Sequence, residues 1–454
     1  HEFLRGSYRR WVCQTVYEDI QRLPPAHYLA VDGGVHKPRL YYALGSGTTP
    51  QCASDEDWLQ AFRELFQEAV RCRLRSITPI GISVSGGLDS SSVACMAHAL
   101  AQQREDLPEI RLYSLVYRET PGADESQYLD AVAKHCTRFV TIKIDGDEFW
   151  ALREFGSDGG FPLDEPEIYP LRSQTLAPLR RAAVDGCRVV LSGDGGDHVL
   201  AQNLYAEPRG LRGLAGRDWF KEVRYFRMAT HISWFSLLCR AYLMPLVPSK
   251  ILPMLETLYI GFVGRQSWLN GRSWHYGWGA CSLEGAFLDP PRLKPHAQVI
   301  HGNLRFSRES ARLSALDLSA AYAGVDYRHP FFDHRLIDLL LRMPQHLIAW
   351  RGVDRIIVRK SFFAIMPDAV RVRCDKCHFE GLVRRGLAKE QQRIDELLRD
   401  SKAEALGFVR VERLRDMIRN DWQQQTGFYG DMLRLLCIEA WLRGKTVLDE
   451  QKED

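Results

Sequence analysis

The feature that most constrains the fold of this chain is a short apolar run that ends in a glycine-rich loop and continues as a helix. Residues 80–84, Ile-Gly-Ile-Ser-Val, have the composition of a buried parallel strand. Residues 85–91, Ser-Gly-Gly-Leu-Asp-Ser-Ser, break this strand, and residues 91–100 follow with a helical pattern. Further strands are predicted over residues 110–117, 139–144 and 188–192, with a helix over residues 126–135. This alternation predicts an α/β fold built on a doubly wound parallel sheet.

A second glycine-rich segment follows the fourth predicted strand. Residues 192–197, Ser-Gly-Asp-Gly-Gly-Asp, continue directly from the apolar run. Ligands of doubly wound sheets bind beyond the carboxyl ends of the strands, which is where both glycine loops fall. We therefore expect the two loops to lie together at the functional site.

The first loop has the residue types that an anion-binding turn needs. Glycines let the backbone approach a ligand closely, and the start of the following helix offers free N–H groups. Asp89 supplies a hard oxygen ligand suited to Mg²⁺. The common nucleotide loop is excluded, because no Gly-Lys-Ser/Thr follows the glycines. The alternative is a glycine turn with a capping aspartate, which a lone Ser-Gly-Gly would favour.

Composition and charge exclude several classes of protein. The 454 residues are 45% hydrophobic and 26% charged, as expected of a soluble globular protein with two or three domains. A formal charge of +3 gives no reason to expect a nucleic-acid or membrane partner. Charged residues and prolines interrupt the most apolar stretch, residues 232–263, so no membrane span is predicted. We interpret most of the eleven cysteines as reduced thiols of a cytoplasmic protein.

The start of the chain has a different pattern from the rest. Two strands are predicted over residues 24–31 and 40–42. No signal-peptide pattern is present and the first residue is His1, so we interpret the chain as starting within a longer protein. We divide it into residues 1–48, too short to close a core alone, and residues 50–445.

Five segments together resemble the asparagine synthetase family of N-type ATP pyrophosphatases. Residues 85–91 resemble the pyrophosphate-binding loop of this family, and residues 192–197 resemble its second loop. The other three segments are Leu-Asp-Glu-Pro at 163–166, Arg-His-Pro-Phe-Phe-Asp at 328–333, and the region from Met366 to Phe379. Residues 1–42 resemble the last strands of the Ntn glutaminase domain that precedes the synthetase domain in this family.

The resemblance carries an expectation for the whole fold. It implies an adenine nucleotide alpha hydrolase-like sheet followed by a large helical C-terminal part, over residues 50–445. It also implies that residues 1–48 are the β-rich remnant of a glutamine amidotransferase-like Ntn domain.

The resemblance also implies roles for individual residues. ATP and Mg²⁺ are the expected cofactors, with Asp89 and Asp197 as the metal-binding carboxylates. Lys376 matches a lysine that neutralises charge on the transferring phosphate, although a solvated surface lysine is the alternative. Residues implied to contact the nucleotide are Val84, Ser85, Gly86, Gly87, Leu88, Asp89, Ser90, Ser91, Val116, Ser192 and Gly193.

Asp194 in the second loop and His198 directly after it depart from the pattern of asparagine synthetases. Asp194 stands where these enzymes usually carry a glutamate that helps the incoming amine lose a proton, and aspartate is one methylene shorter. His198 also replaces a glutamate, and is either a base or an ordinary polar residue at a helix start. Outside the loop, Cys374 and Cys377 form a C-x-x-C pair, which we interpret as incidental thiols rather than a zinc site.

The resemblance implies an ATP-dependent amide ligase that adenylates a carboxylate, releases pyrophosphate and couples the acyl group to an amine. Asp194, His198 and the helical insertion over residues 205–290 favour a lasso peptide macrolactam cyclase, as does the ending at residues 435–443. The expected partner is then a precursor peptide, presented by a leader peptidase or leader-binding protein. The alternatives are a glutamine-dependent asparagine synthetase and a β-lactam synthetase-like enzyme.

Two hypotheses from other classes remain open. A sulfur- or nitrogen-transferring pyrophosphatase acting on tRNA would need a basic RNA-binding appendage or a persulfide-handling cysteine near the loop, and neither is evident. An inactive binding protein on the same scaffold is disfavoured by the intact Asp89, Asp197 and Lys376.

Overall fold

The computed structural model has a mixed α/β architecture. Its described residues are 13, 15–34, 37–47, 50–104, 106–153, 166, 171–200, 219–225, 297, 300, 301, 303, 304, 307–375, 377, 380–412, 414, 415 and 428–450. The strands are β1 (His27–Tyr28), β2 (Arg39–Leu40), β3 (Ile80–Ser83), β4 (Ile110–Val116), β5 (Val140–Asp145), β6 (Val189–Leu191), β7 (Asp326–Arg328), β8 (Ala349–Trp350) and β9 (Val353–Asp354). The helices up to the end of the sheet are α1 (Asp55–Arg73), α2 (Leu88–Gln103), α3 (Ser126–His135), α4 (Arg172–Val184), α5 (Gly196–Val199) and α6 (Ser307–Ala323).

The helices after the sheet form the rest of the fold. They are α7 (His334–Arg342), α8 (Gln345–Ile348), α9 (Ile356–Ser361), α10 (Asp368–Arg371), α11 (Glu380–Lys389), α12 (Gln391–Arg399), α13 (Lys402–Ala405) and α14 (Phe428–Glu450). Short 3₁₀ turns lie at Pro121–Ala123, Gly146–Glu148 and Pro330–Phe332. Within the described ranges, none of the helices is both long and apolar enough to cross a bilayer.

The central sheet has five parallel strands in the order β5-β4-β3-β6-β7. The chain runs outward from β3 through β4 to β5, and then returns to the other side of β3 as β6. The topological switch point therefore lies between β3 and β6, the two strands that the glycine loops follow. The predicted doubly wound parallel sheet is confirmed. The edge strand β7 was not predicted, because Asp-Tyr-Arg carries no apolar run.

Helices cover both faces of the sheet. On one face, α1, α2 and α3 form the main core, which includes Phe62 and Leu112 with no exposed surface. On the other face, α4 and α6 cover Tyr113 and Val190. Leu112 and its neighbour Tyr113 point to opposite sides, as successive residues of a strand must. Because both faces are buried, the inner strands β3 and β6 are apolar runs without polar alternation.

A capping box fixes the start of α1. The Asp57 backbone N–H donates to Ser54 Oγ at 3.2 Å, and the Ser54 N–H donates to Asp57 Oδ2 at 2.9 Å. The inner face of this helix presents Phe62 and Phe66, whose rings stack at 5.9 Å. Both side chains are fully buried. Capping and burial together place α1 against the sheet.

A buried carboxylate, Asp333, ties α1 to the turn that precedes α7. Arg73 Nη1 donates to Asp333 Oδ2 at 2.9 Å, and Arg335 Nη2 donates to the same oxygen at 2.8 Å. Asp333 also caps α7 by accepting from the Arg335 backbone N–H at 3.1 Å. Burial alone would raise the pKa of Asp333, but the hydrogen bonds from Arg335 and Arg73 outweigh it and lower the pKa to about 2.

We expect Asp333→Asn to lower the free energy of unfolding by about 2 kcal/mol at pH 7, because the amide cannot hold both guanidinium groups. A carboxyl whose pKa falls to about 2 on folding stabilises the fold above its ordinary value of 3.8, and this contribution is lost as the pH falls through about 2. Urea unfolding should therefore show a gap between wild type and variant that is roughly halved at pH 3.

The matched control is Asp368→Asn, which removes an exposed carboxylate paired with Arg371. This substitution should change the free energy of unfolding by less than about 0.5 kcal/mol. An Asp333→Asn gap of the same size at pH 7 and pH 3 would contradict the assignment of a lowered pKa.

The last four helices form a second apolar core, whereas α7 to α9 belong to the main core. The second core draws on α11 to α14 and includes Leu435 and Leu436, both with no exposed surface. Glu439 is also fully buried, and it accepts hydrogen bonds from the Lys402 and Ala403 backbone N–H groups at 3.0 and 2.8 Å. The large helical C-terminal part that the family resemblance implied is thus present in the described residues.

The N-terminal segment forms a short antiparallel pair. Strands β1 and β2 pair through His27 and Leu40, so the two predicted strands are present but short. After β2, the Tyr42 hydroxyl and the Gly45 N–H both donate to Asp338 Oδ1, at 2.6 and 2.8 Å. These bonds attach residues 42–45 to α7. Residues 163–165 and most of the predicted insertion at 205–290 lie outside the described residues.

Candidate active site

The first glycine loop joins β3 to α2 at the carboxyl edge of the sheet. It is held by its own hydrogen bonds: the Gly87 N–H donates to Ser85 Oγ at 3.1 Å, and the Ser85 N–H donates to Ser90 Oγ at 3.2 Å. Gly86 has a φ of +95°, a conformation that side chains with a Cβ rarely adopt. Fixed N–H and hydroxyl donors at the start of a helix suit a phosphate.

The second loop packs directly on the first. Gly193 follows β6, and a Cβ at this position would lie 2.4 Å from Ser90 N and 2.7 Å from the backbone carbon of Asp89. Because these are backbone atoms, no rotation of a side chain could make room. The glycine therefore lets two segments that are distant in the sequence form one continuous wall, as the motif positions predicted.

The conformation of Gly86 leads to a prediction about nucleotide binding. In Gly86→Ala the new Cβ would lie 2.8 Å from Glu125 O and 3.0 Å from Leu129 N, at a φ of +95°. We expect the loop to shift and the affinity for MgATP to fall at least about tenfold, measured by calorimetry. The control is Gly122→Ala, where a Cβ meets nothing within 4 Å. Equal affinity of the two variants would contradict a phosphate-binding role for this loop.

The two predicted metal-binding carboxylates are brought together around one cation, the Arg355 guanidinium. Arg355 Nε donates to Asp89 Oδ1 at 2.7 Å, and Nη2 donates to Asp89 Oδ2 at 2.9 Å. The same Nη2 donates to Asp197 Oδ1. Asp89 and Asp197 are thus close enough to share a cation, and their oxygens are of the kind that Mg²⁺ prefers. The residues present fit a magnesium site.

Arg373 ties a third segment to the first loop. Its Nη1 donates to Gly86 O at 3.2 Å and forms an ion pair with Glu125 Oε1 at 2.7 Å. The guanidinium lies over the Tyr128 ring, 3.8 Å from its centroid. The predicted catalytic lysine, Lys376, is three residues further on and lies outside the described residues. The structure thus fixes the beginning of its segment beside the loop.

Asp194 is held in a network of polar groups. Arg312 Nη1 donates to its Oδ1 at 3.1 Å, and Ser192 Oγ donates to its Oδ2 at 3.2 Å. Ser192 Oγ also shares a hydrogen bond with His329 Nδ1, at 2.7 Å. Burial lowers the pKa of His329 to about 4, so this imidazole is neutral at pH 7. Asp194 is therefore a carboxylate with a fixed orientation at the edge of the site.

Asp89, Asp194, Asp197, Arg355 and Arg373 all border one cavity of about 650 Å³, a volume typical of small-molecule sites. The predicted residues that border it are Ser85, Gly87, Leu88, Asp89, Ser90, Ser192, Gly193, Asp194, Asp197 and His198. Four predicted residues are not among the described residues that line it: Val84, Gly86, Ser91 and Val116. Val84 and Ser91 are buried. The Ser91 side chain is buried because it lies on the inner face of α2.

Several cavity residues were missed by sequence reasoning. Arg355 and Arg359 lie in a basic stretch, residues 351–360, whose composition is typical of an exposed surface. Arg312 and Glu125 are single polar residues in or next to helices, a position that carries no sequence signal of its own. Arg373 lies in the motif region from Met366 to Phe379, but the motif does not indicate that its side chain reaches the first loop. Only the folded chain shows that these side chains converge.

The Cys374 and Cys377 pair lies in the wall of the same cavity. Cys374 is exposed and Cys377 is partly buried, and burial raises the pKa of the Cys377 thiol to about 11. Within the part of the chain that the structure describes, no three His, Cys, Asp or Glu side chains are placed to hold one metal ion together. The interpretation as incidental thiols remains an expectation.

Fold and site together define a doubly wound α/β protein of the adenine nucleotide alpha hydrolase-like type, with a two-loop site at the switch point of its sheet. The sequence profile of the family described as asparagine synthase matches residues 61–443, which is most of the chain. The chain belongs to the asparagine synthase family.

Curated relatives are similar over a shorter region. "Amidase chyE" from Penicillium rubens is 27% identical over 213 residues, which are 44% of this chain and 31% of that protein. A probable glutamine-hydrolyzing asparagine synthetase from Dictyostelium discoideum is 29% identical over 203 residues, 41% of this chain and 34% of that protein. A putative asparagine synthetase from Methanocaldococcus jannaschii is 26% identical, over 41% of this chain and 34% of that protein. The chain thus spans about a third of the length of these relatives.

Proposed function

We propose that this chain is an ATP-dependent amide ligase that adenylates a carboxylate, releases pyrophosphate and transfers the acyl group to an amine, leaving AMP. One observation carries the proposal. Two glycine loops at the switch point pack on each other and present Asp89 and Asp197 to one cavity. Membership of the asparagine synthase family supports the same chemistry. The names of the relatives, amidase and asparagine synthetase, also point to amide chemistry.

Each residue then has a role in the two steps. The N–H and hydroxyl donors of residues 85–90 bind and orient the two outer phosphates, so that the carboxylate attacks the inner phosphorus in line. Asp89 and Asp197 would hold Mg²⁺, which when bound neutralises charge on the phosphate oxygens. Lys376 stabilises charge on the transferring group. Asp194 takes a proton from the attacking amine.

For the substrate we favour a precursor peptide whose Asp or Glu side chain is joined to its own N-terminal amine, the reaction of a lasso peptide macrolactam cyclase. Support comes from Asp194 and His198 in place of the glutamates of asparagine synthetases, and from the insertion at residues 205–290. The peptide would be presented by a leader peptidase or leader-binding protein, in the cytoplasm. We further propose that residues 1–48 are the remnant of a glutaminase-like domain.

ATP–pyrophosphate exchange tests the choice of substrate. Exchange would be measured with free aspartate and with synthetic peptides that have a free N-terminus and one internal Asp or Glu. The proposal predicts exchange with a peptide, together with a product lighter by one water. Exchange with aspartate alone, followed by asparagine formation with ammonia or glutamine, would establish the alternative, an asparagine synthetase. Exchange with neither would leave a β-lactam synthetase-like substrate as the next test and contradict the cyclase.

A further inference from the structure

The side chain of Arg355 occupies the space between the two predicted metal-binding carboxylates. It is almost fully buried, with only 3% of its side chain exposed. One nitrogen, Nη2, donates both to Asp89 and to Asp197, and Nη1 donates to Asp354. A cation that contacts both carboxylates at once is in the position that a bridging metal ion would need. The two cations therefore compete for the same oxygens.

The backbone holds Arg355 in this place. Strands β8 and β9 form a hairpin whose two-residue turn, Arg351 and Gly352, has positive φ at both positions. Arg355 directly follows this hairpin and itself has a φ of +52°, which is uncommon for a residue with a side chain. Surroundings that impose such a conformation are typical of functional positions. The hairpin thus presents the guanidinium to the cavity.

The negative charges around Arg355 explain why a guanidinium occupies this position. Asp89, Asp197 and Asp354 all pair with this guanidinium, and Asp354 also pairs with Arg359 at 3.4 Å, so removal of Arg355 would take a shared positive charge away from Asp89 and Asp197. Neighbouring like charges repel each other, and the repulsion is stronger where water is largely excluded, as it is at Asp89, whereas Asp197 is half exposed. A guanidinium binds phosphate oxygens as readily as carboxylate oxygens, and often through two hydrogen bonds. Arg355 therefore has an alternative partner as soon as a triphosphate enters the cavity.

We propose that Arg355 is a resident cation that closes the Mg²⁺ site of the nucleotide-free enzyme and opens it when ATP binds. Free divalent ions are then excluded until a triphosphate draws the guanidinium away from Asp89 and Asp197. Metal and nucleotide enter together, and the arginine becomes a phosphate ligand. This inference rests on the proposed function, since it takes Asp89 and Asp197 as metal ligands.

The test is Mn²⁺ binding in the absence of nucleotide, measured by electron paramagnetic resonance. This measurement requires neither a carboxylate substrate nor catalysis. Wild type should bind Mn²⁺ weakly until ATP is added, whereas Arg355→Met should bind Mn²⁺ alone at least about tenfold more tightly. The melting temperature of the variant should rise with millimolar Mg²⁺, while that of wild type should not. Arg355→Lys keeps the charge and should resemble wild type.

Two further variants make the result specific. Arg312→Met removes another cavity arginine, one that pairs with Asp194, and should leave Mn²⁺ binding as in wild type. The double variant Asp89→Asn, Arg355→Met should lose the gain in Mn²⁺ affinity, because a metal ligand is missing. If Arg355→Met unfolds in EDTA, recovery of the fold on adding Mn²⁺ supports the proposal, and failure to recover contradicts it.

The outcomes separate this inference from the proposed function. Mn²⁺ binding by nucleotide-free wild type, as tight as in Arg355→Met, would overturn the inference even if the enzyme forms amides. Equally weak binding in both proteins would overturn it as well. A gain in affinity in Arg355→Met without any ATP–pyrophosphate exchange in wild type would support the closed site and contradict the ligase.

Discussion

Asp89→Asn is expected to lower ATP–pyrophosphate exchange roughly 10²- to 10³-fold and to remove Mg²⁺-dependent ATP binding. Asp89 lies where the two glycine loops meet, beside Asp197, and it pairs with the Arg355 guanidinium that lies between the two carboxylates. Asparagine keeps the shape of the side chain, so the packing of the loops should survive. It lacks the negative charge that a divalent cation needs. Exchange would be measured with the carboxylate that wild type accepts, and MgATP affinity by calorimetry.

The control for this variant is Asp106→Asn, which removes an exposed carboxylate paired with Arg104. It should leave exchange unchanged, and both variants should melt close to wild type. Exchange by Asp89→Asn within a factor of about two of wild type would contradict the metal role. A large drop in melting temperature would instead point to a structural role in the contact between the loops.

The second large effect is expected in the step that transfers the acyl group to the amine. Asp194→Asn should leave ATP–pyrophosphate exchange within about threefold of wild type, but slow amide formation about 10²- to 10⁴-fold. The amide oxygen can still accept from Arg312, and the amide NH₂ group can donate to Ser192 Oγ, so the side chain keeps its place. It cannot take a proton from the amine. Single-turnover product formation, measured by mass spectrometry, reports amide formation separately from adenylation.

A particular pattern of loss would contradict this role. If Asp194→Asn slowed exchange and amide formation equally, Asp194 would serve to position the second loop. The matched variant is Arg312→Met, which removes the partner of the carboxylate but not the carboxylate itself. It should slow amide formation less than Asp194→Asn does, because the base is still present although less well oriented.

The local sequence was sufficient to predict those strands and helices whose structure depends mainly on neighbouring residues. The inner strands could be predicted because both faces of a doubly wound sheet exclude water, which favours short apolar runs such as residues 80–84 and 189–191. The helix over Ser126–His135 was predicted to the residue. By contrast, the edge strand Asp326–Arg328 was missed, since an edge position tolerates charged residues that give no strand pattern.

The site was predictable only in part, for a related reason. Glycine motifs mark a phosphate-binding loop because the backbone itself makes the contacts, so residues such as Ser85 and Asp89 were identified. Ser91 belongs to the same motif, yet its side chain is buried in the core because of its position on α2. Motif membership therefore does not tell which way a side chain faces.

The sequence by itself determined the strand and loop order, the family and the carboxylates that the loops carry. These properties are written in short stretches of chain, where backbone conformation and burial follow from neighbouring residues. Only the tertiary structure decided that Arg355 lies between Asp89 and Asp197, and that Arg312 holds Asp194. Such pairs join residues far apart in the chain, and the free energy of a buried ion pair depends on distance and solvent exclusion, which no local pattern encodes.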